Sequence, residues 1–519
     1  MTKTKIKSSA VKLPQRHDPK LETLMAEFSA AREERRNWEN IWQDCYEFVL
    51  PYRNAFASTT SADRKYDRVF DATAADAVDQ LAASLLAQLT PPWSRWFGFR
   101  PGPALSDTER DQIGPVLEEA QLRLQSHFDR SNFAVEMHQA YLDLVTAGTG
   151  SIAFEESAPG EYSAFRFTAV PLADLVLDEG IEGRLNVTFR QMQLTAAQIA
   201  ARYPNVELPP ELIKAADRRS DKAQTILEYV QPDGKAYEFG VIWQGGGAPE
   251  LLLQKRLGQS PFMHFRWLKS PGETYGRSPV MKALPDIKTA NKVVELILKN
   301  ASIAVTGIWQ ADDDGVLNPA NIKLVPGAII PKAVGSAGLT PLGAPGRFDV
   351  SQLMLDDLRR NIRRALLVDQ LGQPQDYRMT ATEVLQRATE MARILGATYG
   401  RLQSELLTPM ILRGMHILQR RGEIPFIPID GRTVELHYSS PLALAQSQRD
   451  GQSILSWLTA VQAMGAGAQT TVNPNAIVKF LADMYGVPAS LMQLAPETQV
   501  NAVVTDLAAA AKTLTQTQQ

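Results

Sequence analysis

The side chains able to carry chemistry are few and scattered. The six histidines (His17, His127, His138, His264, His416 and His437) stand far apart. No HExxH pair sets two of them on one metal. His264 alternates with Phe262, Phe265 and Trp267, so a satisfied sheet residue is expected there and not a ligand. The single cysteine, Cys45, lies in a helical pattern among apolar residues and reads as a small buried hydrophobe. One cysteine allows no intrachain disulfide, which points to a reducing compartment. The acidic run DDDG at residues 312–315 suggests a turn, and its spacing is not that of a calcium loop. AGTGS at 147–151 is glycine-rich but lacks the lysine of a phosphate loop, so it reads as a turn. CxxC, GxxxxGK[ST] and GxSxG are all missing. No metal, no cofactor and no enzymatic activity are expected.

What stands out instead is a pattern of cations and amides. Lys288, Lys292 and Lys299, interleaved with Glu295, form one stripe of a helix. Val280, Leu284, Ile287, Val294 and Leu298 form the stripe beside it. A second helix repeats the design, with Met354, Leu358, Ile362 and Leu366 on one side. Asp356, Arg359, Arg360, Arg363 and Arg364 cover the other. A polar loop at 369–379 (DQLGQPQDYRM) follows, with Gln373, Gln375, Asp376, Tyr377 and Arg378. In an arbitrary protein such stripes are a core face and a wet face.

The elements around this block are legible from punctuation. Asp18-Pro19 starts a helix that carries Leu21, Leu24, Met25 and Phe28, then Trp38, Ile41, Trp42, Tyr46 and Val49, and ends at Pro51. An alanine-rich helix is expected over 73–89, stopped by Pro91-Pro92. Trp93, Trp96, Phe97 and Phe99 then read as a hydrophobic seam ahead of a base-stacking surface. Helices follow at 106–132 and 133–146. From 151 to 268 the period changes to two, with strands SIAFEES, SAFRFTAV, LNVTFRQMQ, ILEYVQ, KAYEFGVIWQ, LLLQKRL and FMHFRWL and a short helix at 195–202. Pro279 opens the first cationic helix. SIAVTGIWQ and IKLVPGAIIPK look like two short strands, and 333–347 a loop. Thr380 and Glu383 form a capping box for a long helix to Arg421, which Pro409 must kink or divide. Further helices are expected at 442–464, 474–485, 488–493 and 497–515.

The totals bound the partners. The chain has 519 residues, is 44% hydrophobic and 21% charged, and carries a formal charge of -3. No global basic field draws it to DNA, so any such role rests on local arrangement. No apolar run is long enough to span a membrane. The basic N-terminus (MTKTKIKSSAVKLPQR) lacks the apolar core of a secretory signal and reads as a disordered arm.

Three passages carry a resemblance. They are RKYDRVFDATAADAVDQLAASLLAQLTPPWSRWFGF (64–99), GETYGRSPVMKALPDIKTANKVVELILKNA (272–301) and MTATEVLQRATEMARILG (379–396). In order and overall length the chain resembles the portal proteins, or head-to-tail connectors, of short-tailed, podovirus-type bacteriophages. The resemblance implies an α+β portal fold that forms rings, with a helical stem, a β-containing wing, a small α/β clip and an α-helical crown. The wing would take 1–275 and 380–440, the stem helices 276–301 and 350–368, the clip 302–349, the tunnel loop 369–379 and the crown 441–519. A stem helix of about 22 residues would span roughly 33 Å.

The resemblance further implies a homo-dodecamer at one capsid vertex through which double-stranded DNA is packaged and ejected. The terminase large subunit would dock on it, then a tail adaptor protein. Major capsid and scaffolding proteins would surround it, in the virion and earlier in the host cytoplasm. Lys288, Lys292, Lys299, Arg363 and Arg364 would face the channel, and the five loop residues would constrict it. Multiplicity about an axis turns a few cations per subunit into belts, and a sliding duplex wants scattered positive charge ahead of a tight phosphate site. Arg359 and Arg360 could equally pair with acids of a neighbouring subunit. Two other readings are a ring-forming tail adaptor and a nucleic-acid-processing enzyme.

Overall fold

The structure is a computed structural model. It describes residues 19–53, 56, 65–92, 94–180, 182–204, 206–218, 220–245, 248–306, 309–311, 339–341, 348–368, 396, 398–438, 454, 456–461 and 477–478. The element order is α1 (Pro19–Val49), α2 (Thr73–Leu89), β1 (Phe97–Pro101), α3 (Asp107–Arg130), α4 (Phe133–Ala147), β2 (Thr149–Glu156), β3 (Phe165–Ala169), β4 (Leu175–Glu179) and β5 (Leu185–Leu194). Then come α5 (Ala196–Arg202), α6 (Pro210–Asp217), β6 (Gln224–Asp233), β7 (Ala236–Trp243), β8 (Glu250–Leu257), β9 (Phe262–Arg266) and α7 (Pro279–Thr306). The last described elements are β10 (Trp309–Ala311), β11 (Leu339–Pro341), α8 (Phe348–Ala365), a π-helical turn (Gln403–Leu407), α9 (Thr408–Arg421) and β12 (Val434–Tyr438). The fold is mixed α+β.

Two sheets make the β-rich part. β4 to β8 form a five-stranded antiparallel meander in sequence order. A Gly234-Lys235 turn joins β6 to β7, and Gly234 takes φ 62°, which only glycine adopts freely. β2 lies between β3 and β9 in a separate three-stranded sheet. α1 bridges both parts of the core. Its first half buries Leu24, Phe28 and Ala31 against Val176, Phe189, Leu227 and Ile242 of the meander. Its second half buries Trp42, Cys45, Tyr46 and Val49 in the main core with α2, α4 and the root of α7.

The seven strands expected between 151 and 268 are all present. β4, β1 and β12 were not expected. β1 pairs with β12 from far along the chain, a contact no local pattern announces. Trp96, Phe97 and Phe99 are buried; Trp96 and Phe97 meet Phe128 edge-on and Phe99 meets Phe97, as a hydrophobic seam requires, and Trp93 lies outside the described residues. Cys45 is buried and its thiol is pushed up to about 12, first by burial.

Three expectations about the cationic block are corrected. The first helix does not stop at residue 301 but runs through Thr306, so SIAVT is helix and not strand. Only Trp309–Ala311 begins a strand, and it pairs with Leu339–Pro341 inside the stretch expected to be loop. The alternation of Ile303 and Val305 is short enough to fit a helix end as well as a strand. The apolar stripes are also shifted. Leu298 and Met354 are exposed, whereas Leu355 joins Ile362 and Leu366 in the buried face. The second helix spans Phe348–Ala365 and is left at Leu367, whose φ is 59°. Residues 312–338, 369–395 and most of those after 438 lie outside the described residues. The tunnel loop, the Thr380–Glu383 capping box and most of the crown go with them.

Candidate channel-lining site

The site is a helical hairpin made of α7 and α8. Ser278 caps the first helix: its hydroxyl accepts from the Met281 amide at 2.8 Å and donates to the Thr146 carbonyl at 2.8 Å. The second bond fixes the helix start to the end of α4. Just before it, Gly276 packs backbone to backbone on Gly148. A Cβ at 276 would lie 2.1 Å from the Gly148 carbonyl oxygen. Pro285 sits inside the helix, where its missing N–H leaves one helical bond unmade.

Both helices of the hairpin are held to the body at one level. The Asn291 side-chain oxygen accepts from the amides of Phe70 at 2.6 Å and Asp71 at 3.2 Å. Its NH2 donates to the Arg68 carbonyl at 2.9 Å. From the other helix, Arg359 places Nε 2.9 Å and Nη2 2.8 Å from Asp71 Oδ2. The Asp71 side chain is 4% exposed, and its Oδ1 accepts at 3.0 Å from the amide of Thr73, the first residue of α2. Burial pushes the Asp71 carboxyl up, but its bonds to Thr73 and Arg359 outweigh that and hold it below the usual range. Arg68 reaches across to Glu47 on α1. The segment 65–71 is thus a strap joined to α1, α7 and α8.

This common anchor fixes the register. In an antiparallel pair with Asn291 level with Arg359, Leu296 and Leu298 come level with Leu353 and Met354. All four are exposed, at 48%, 53%, 70% and 50%. Below the strap the hairpin is packed; above it the hairpin projects with apolar side chains uncovered.

The candidate cations divide into two kinds. Lys288 lies 2.6 Å from Asp44 of α1, over the Phe48 ring. Lys292 at 3.0 Å and Lys299 at 2.5 Å share Glu295, whose carboxyl is held below its usual range first by Lys299 and then by Lys292. Arg363 and Arg364 are exposed on α8 and make no ion pair among the described residues. Arg359 pairs with Asp71 of its own chain, and Arg360 with Asp357 one turn away at 3.0 Å. Gln373, Gln375, Asp376, Tyr377 and Arg378 lie outside the described residues. Reading the sequence missed Asp71 and Asn291. Asn291 offers a signal: an amide within an apolar-and-lysine helix face has to find a backbone partner when buried.

His264 is the satisfied sheet residue expected. Its Nδ1 lies 2.7 Å from the Ser151 hydroxyl and its Nε2 2.8 Å from that of Thr188. Among the described residues no group of His, Cys, Asp and Glu could hold a metal ion, and no helix is long and apolar enough to cross a membrane.

The family model described as bacteriophage head to tail connecting protein matches residues 21–492. The chain belongs to that family. A probable portal protein of Bordetella phage BPP-1 is 24% identical over 500 residues, covering 91% of this chain and 88% of its own. The portal protein of Salmonella phage epsilon15 is 25% identical over 464 residues, covering 82% and 80%. That of Escherichia phage T7 is 22% identical over 422 residues, covering 77% and 75%. Among solved structures, a chain from the neck of an empty gene transfer agent particle shares 14% identity at a TM-score of 0.34, over 77% of this chain and 90% of that one. The function is that of a portal, a head-to-tail connector of the virion at the capsid vertex. The family is a structural one and not an enzyme family.

Proposed function

We propose that this connector works as a dodecameric ring whose bore is lined by the α7–α8 hairpin, the conduit for double-stranded DNA on packaging and on ejection. The observation that carries this reading is the uncovered upper half of the hairpin. Leu296, Leu298, Leu353 and Met354 are too large and too clustered to stand in water without cost. In a ring the same hairpin of the next subunit covers them. Residues 276–301 and 350–368 then serve as stem, 302–349 as clip, 369–379 as tunnel loop, 1–275 and 380–440 as wing and 441–519 as crown.

Such a wall suits a moving duplex. Lys292 and Lys299 are half-neutralised by Glu295, and Lys288 by Asp44, so they offer the phosphates weak, replaceable contacts. Arg363 and Arg364, without an ion pair among the described residues, supply further charge, and residues 369–379 come a few residues later as the constriction. The terminase large subunit docks at the clip and later yields to a tail adaptor, with capsid and scaffolding proteins around the wing.

The test is electron microscopy of the purified chain. Rings with a central hole are expected, and Leu353→Ser combined with Leu296→Ser should shift the population toward monomers. Monomers of the unaltered chain at high concentration, with scaffold present, would overturn the reading.

A further inference from the structure

The passage RKYDRVFDAT is long and specific, yet nothing in a connector's outline assigns it a task. Its last residues make the strap described above. Asn291 reads the strap's backbone as a neighbouring strand would, with one acceptor and one donor. Arg359 reads its carboxylate through two donors. The two hairpin helices thus share one buried attachment point.

We propose that Asp71, together with Asn291, is the positioning node that sets the angle at which the α7–α8 hairpin leaves the body. Three observations converge on it. The Asp71 and Asn291 side chains are buried, so their bonds are shielded from water and from salt. The node lies at the boundary where the hairpin passes from packed to exposed, so it is the last fixed point before the projecting part. The same carboxylate accepts from the first amide of α2, which ties the hairpin's angle to the helix packed beneath it. The node's consequence for bore width rests on the ring reading above; the node itself is a property of one chain.

The hairpin extends beyond the node as a lever. Asn300 lies nine residues past Asn291, roughly 14 Å at 1.5 Å per residue, so 20° of freedom moves it by about 5 Å. That displacement can be read by spin-label distance measurement on the full-length chain. Labels go on Asn300→Cys and Val135→Cys, both exposed, while Cys45 is buried and stays unlabelled. Labelled chains are diluted into unlabelled ones so that only distances within a chain are seen.

A single narrow distance is expected for the parent. Asp71→Asn and Arg359→Gln should each broaden it about twofold or move it by several ångströms. Arg359→Lys, which still reaches Oδ2, should keep it narrow. Ile242→Ala in the meander core serves as the control: it should lower the melting temperature without broadening. Should Asp71→Asn fail to fold, Arg359→Gln decides alone, since its guanidinium is 39% exposed and loses little packing. An unchanged distance in the folded variants, or equal broadening in Ile242→Ala, overturns the proposal. A chain that gave these results but formed no rings would sink the channel reading and leave the node intact.

Discussion

Arg266 and Glu405 stand 139 residues apart in sequence and 2.6 Å apart in space. They tie β9, which precedes the hairpin in the chain, to the π-helical turn that follows it. Arg266 is fully buried with each guanidinium N–H directed at an acceptor: Glu405, Glu179, and the carbonyls of Thr274 and Gly183. Glu405 also accepts from the Arg266 amide at 2.9 Å. It sits in the π-helical turn Gln403–Leu407, directly before Pro409, whose missing N–H cannot complete an α-turn there. Glu405→Ala would leave the buried guanidinium with Glu179 as its remaining carboxylate and two N–H groups short of an acceptor, a loss of about 3 kcal/mol, the lower end for breaking a buried pair. Urea denaturation should show that loss, whereas Glu33→Ala, which removes the exposed pair with Arg36, should shift the midpoint imperceptibly.

Gly276 gives a second prediction of opposite character to its neighbours. Gly276→Ala places a methyl 2.1 Å from a backbone oxygen, and backbone cannot step aside as a side chain does. The loss should be about 3 kcal/mol, the upper end for overpacking, read as the change in unfolding free energy. Gly114→Ala in α3 is the counterpart. A Cβ there meets nothing within 4 Å, and replacing a helical glycine should stabilise by about 0.5–1 kcal/mol.

How much of this was readable beforehand follows from the range of each interaction. The ends of α2 at Thr73 and Leu89, and α4 from Phe133, were legible because caps and prolines act within a few residues. The alternating strands were legible for the same reason. β1 with β12, and Arg359 with Asp71, are contacts across the chain, and nothing in the spacing of the arginines distinguished a pair partner from a free charge. The end of α7 was misjudged because Ile303, Val305 and Thr306 are β-branched, and such residues lower helix propensity only slightly, so a helix end can carry them. The stripe on α8 slipped by one residue at its outer end, where Leu355 and not Met354 is buried, a choice that the spacing of two adjacent apolar residues leaves open.

His264 predicts a pH dependence. Burial, then the nearby Arg266 charge, lowers its folded-state value from 6.5 to about 3. Above pH 6.5 neither the folded nor the unfolded chain holds the proton, and stability from this group is complete. As pH falls from 6.5 toward 3 the unfolded chain takes up a proton that the folded chain refuses, so stability declines. One group contributes a slope of about 1.4 kcal/mol per pH unit, flattening below pH 3. His437, lowered to about 4, and His138 and His416, also lowered, add slopes of the same sign. Unfolding midpoints measured from pH 7 to pH 4 should therefore fall, and fall less steeply in His264→Gln than in the parent. Parallel slopes would mean that the imidazole already carries its proton in the fold.

The two kinds of cation on the hairpin separate by salt. A phosphate contact made by a free guanidinium releases a counterion and steepens the salt dependence of DNA binding; a lysine already held by a carboxylate releases fewer. Arg363→Gln with Arg364→Gln should therefore flatten the plot of log affinity against log salt for DNA held by purified rings. Lys292→Gln with Lys299→Gln should change it less, because Glu295 then stands alone and repels the duplex without altering the count of released ions as much. Packaged genome length adds an independent check. If the arginine pair governs drag in the bore, its loss should let DNA slip back during packaging while rings remain intact. An unchanged slope in the arginine variant beside a flattened one in the lysine variant would assign the channel-facing charge to the lysine stripe and turn α8 away from the axis.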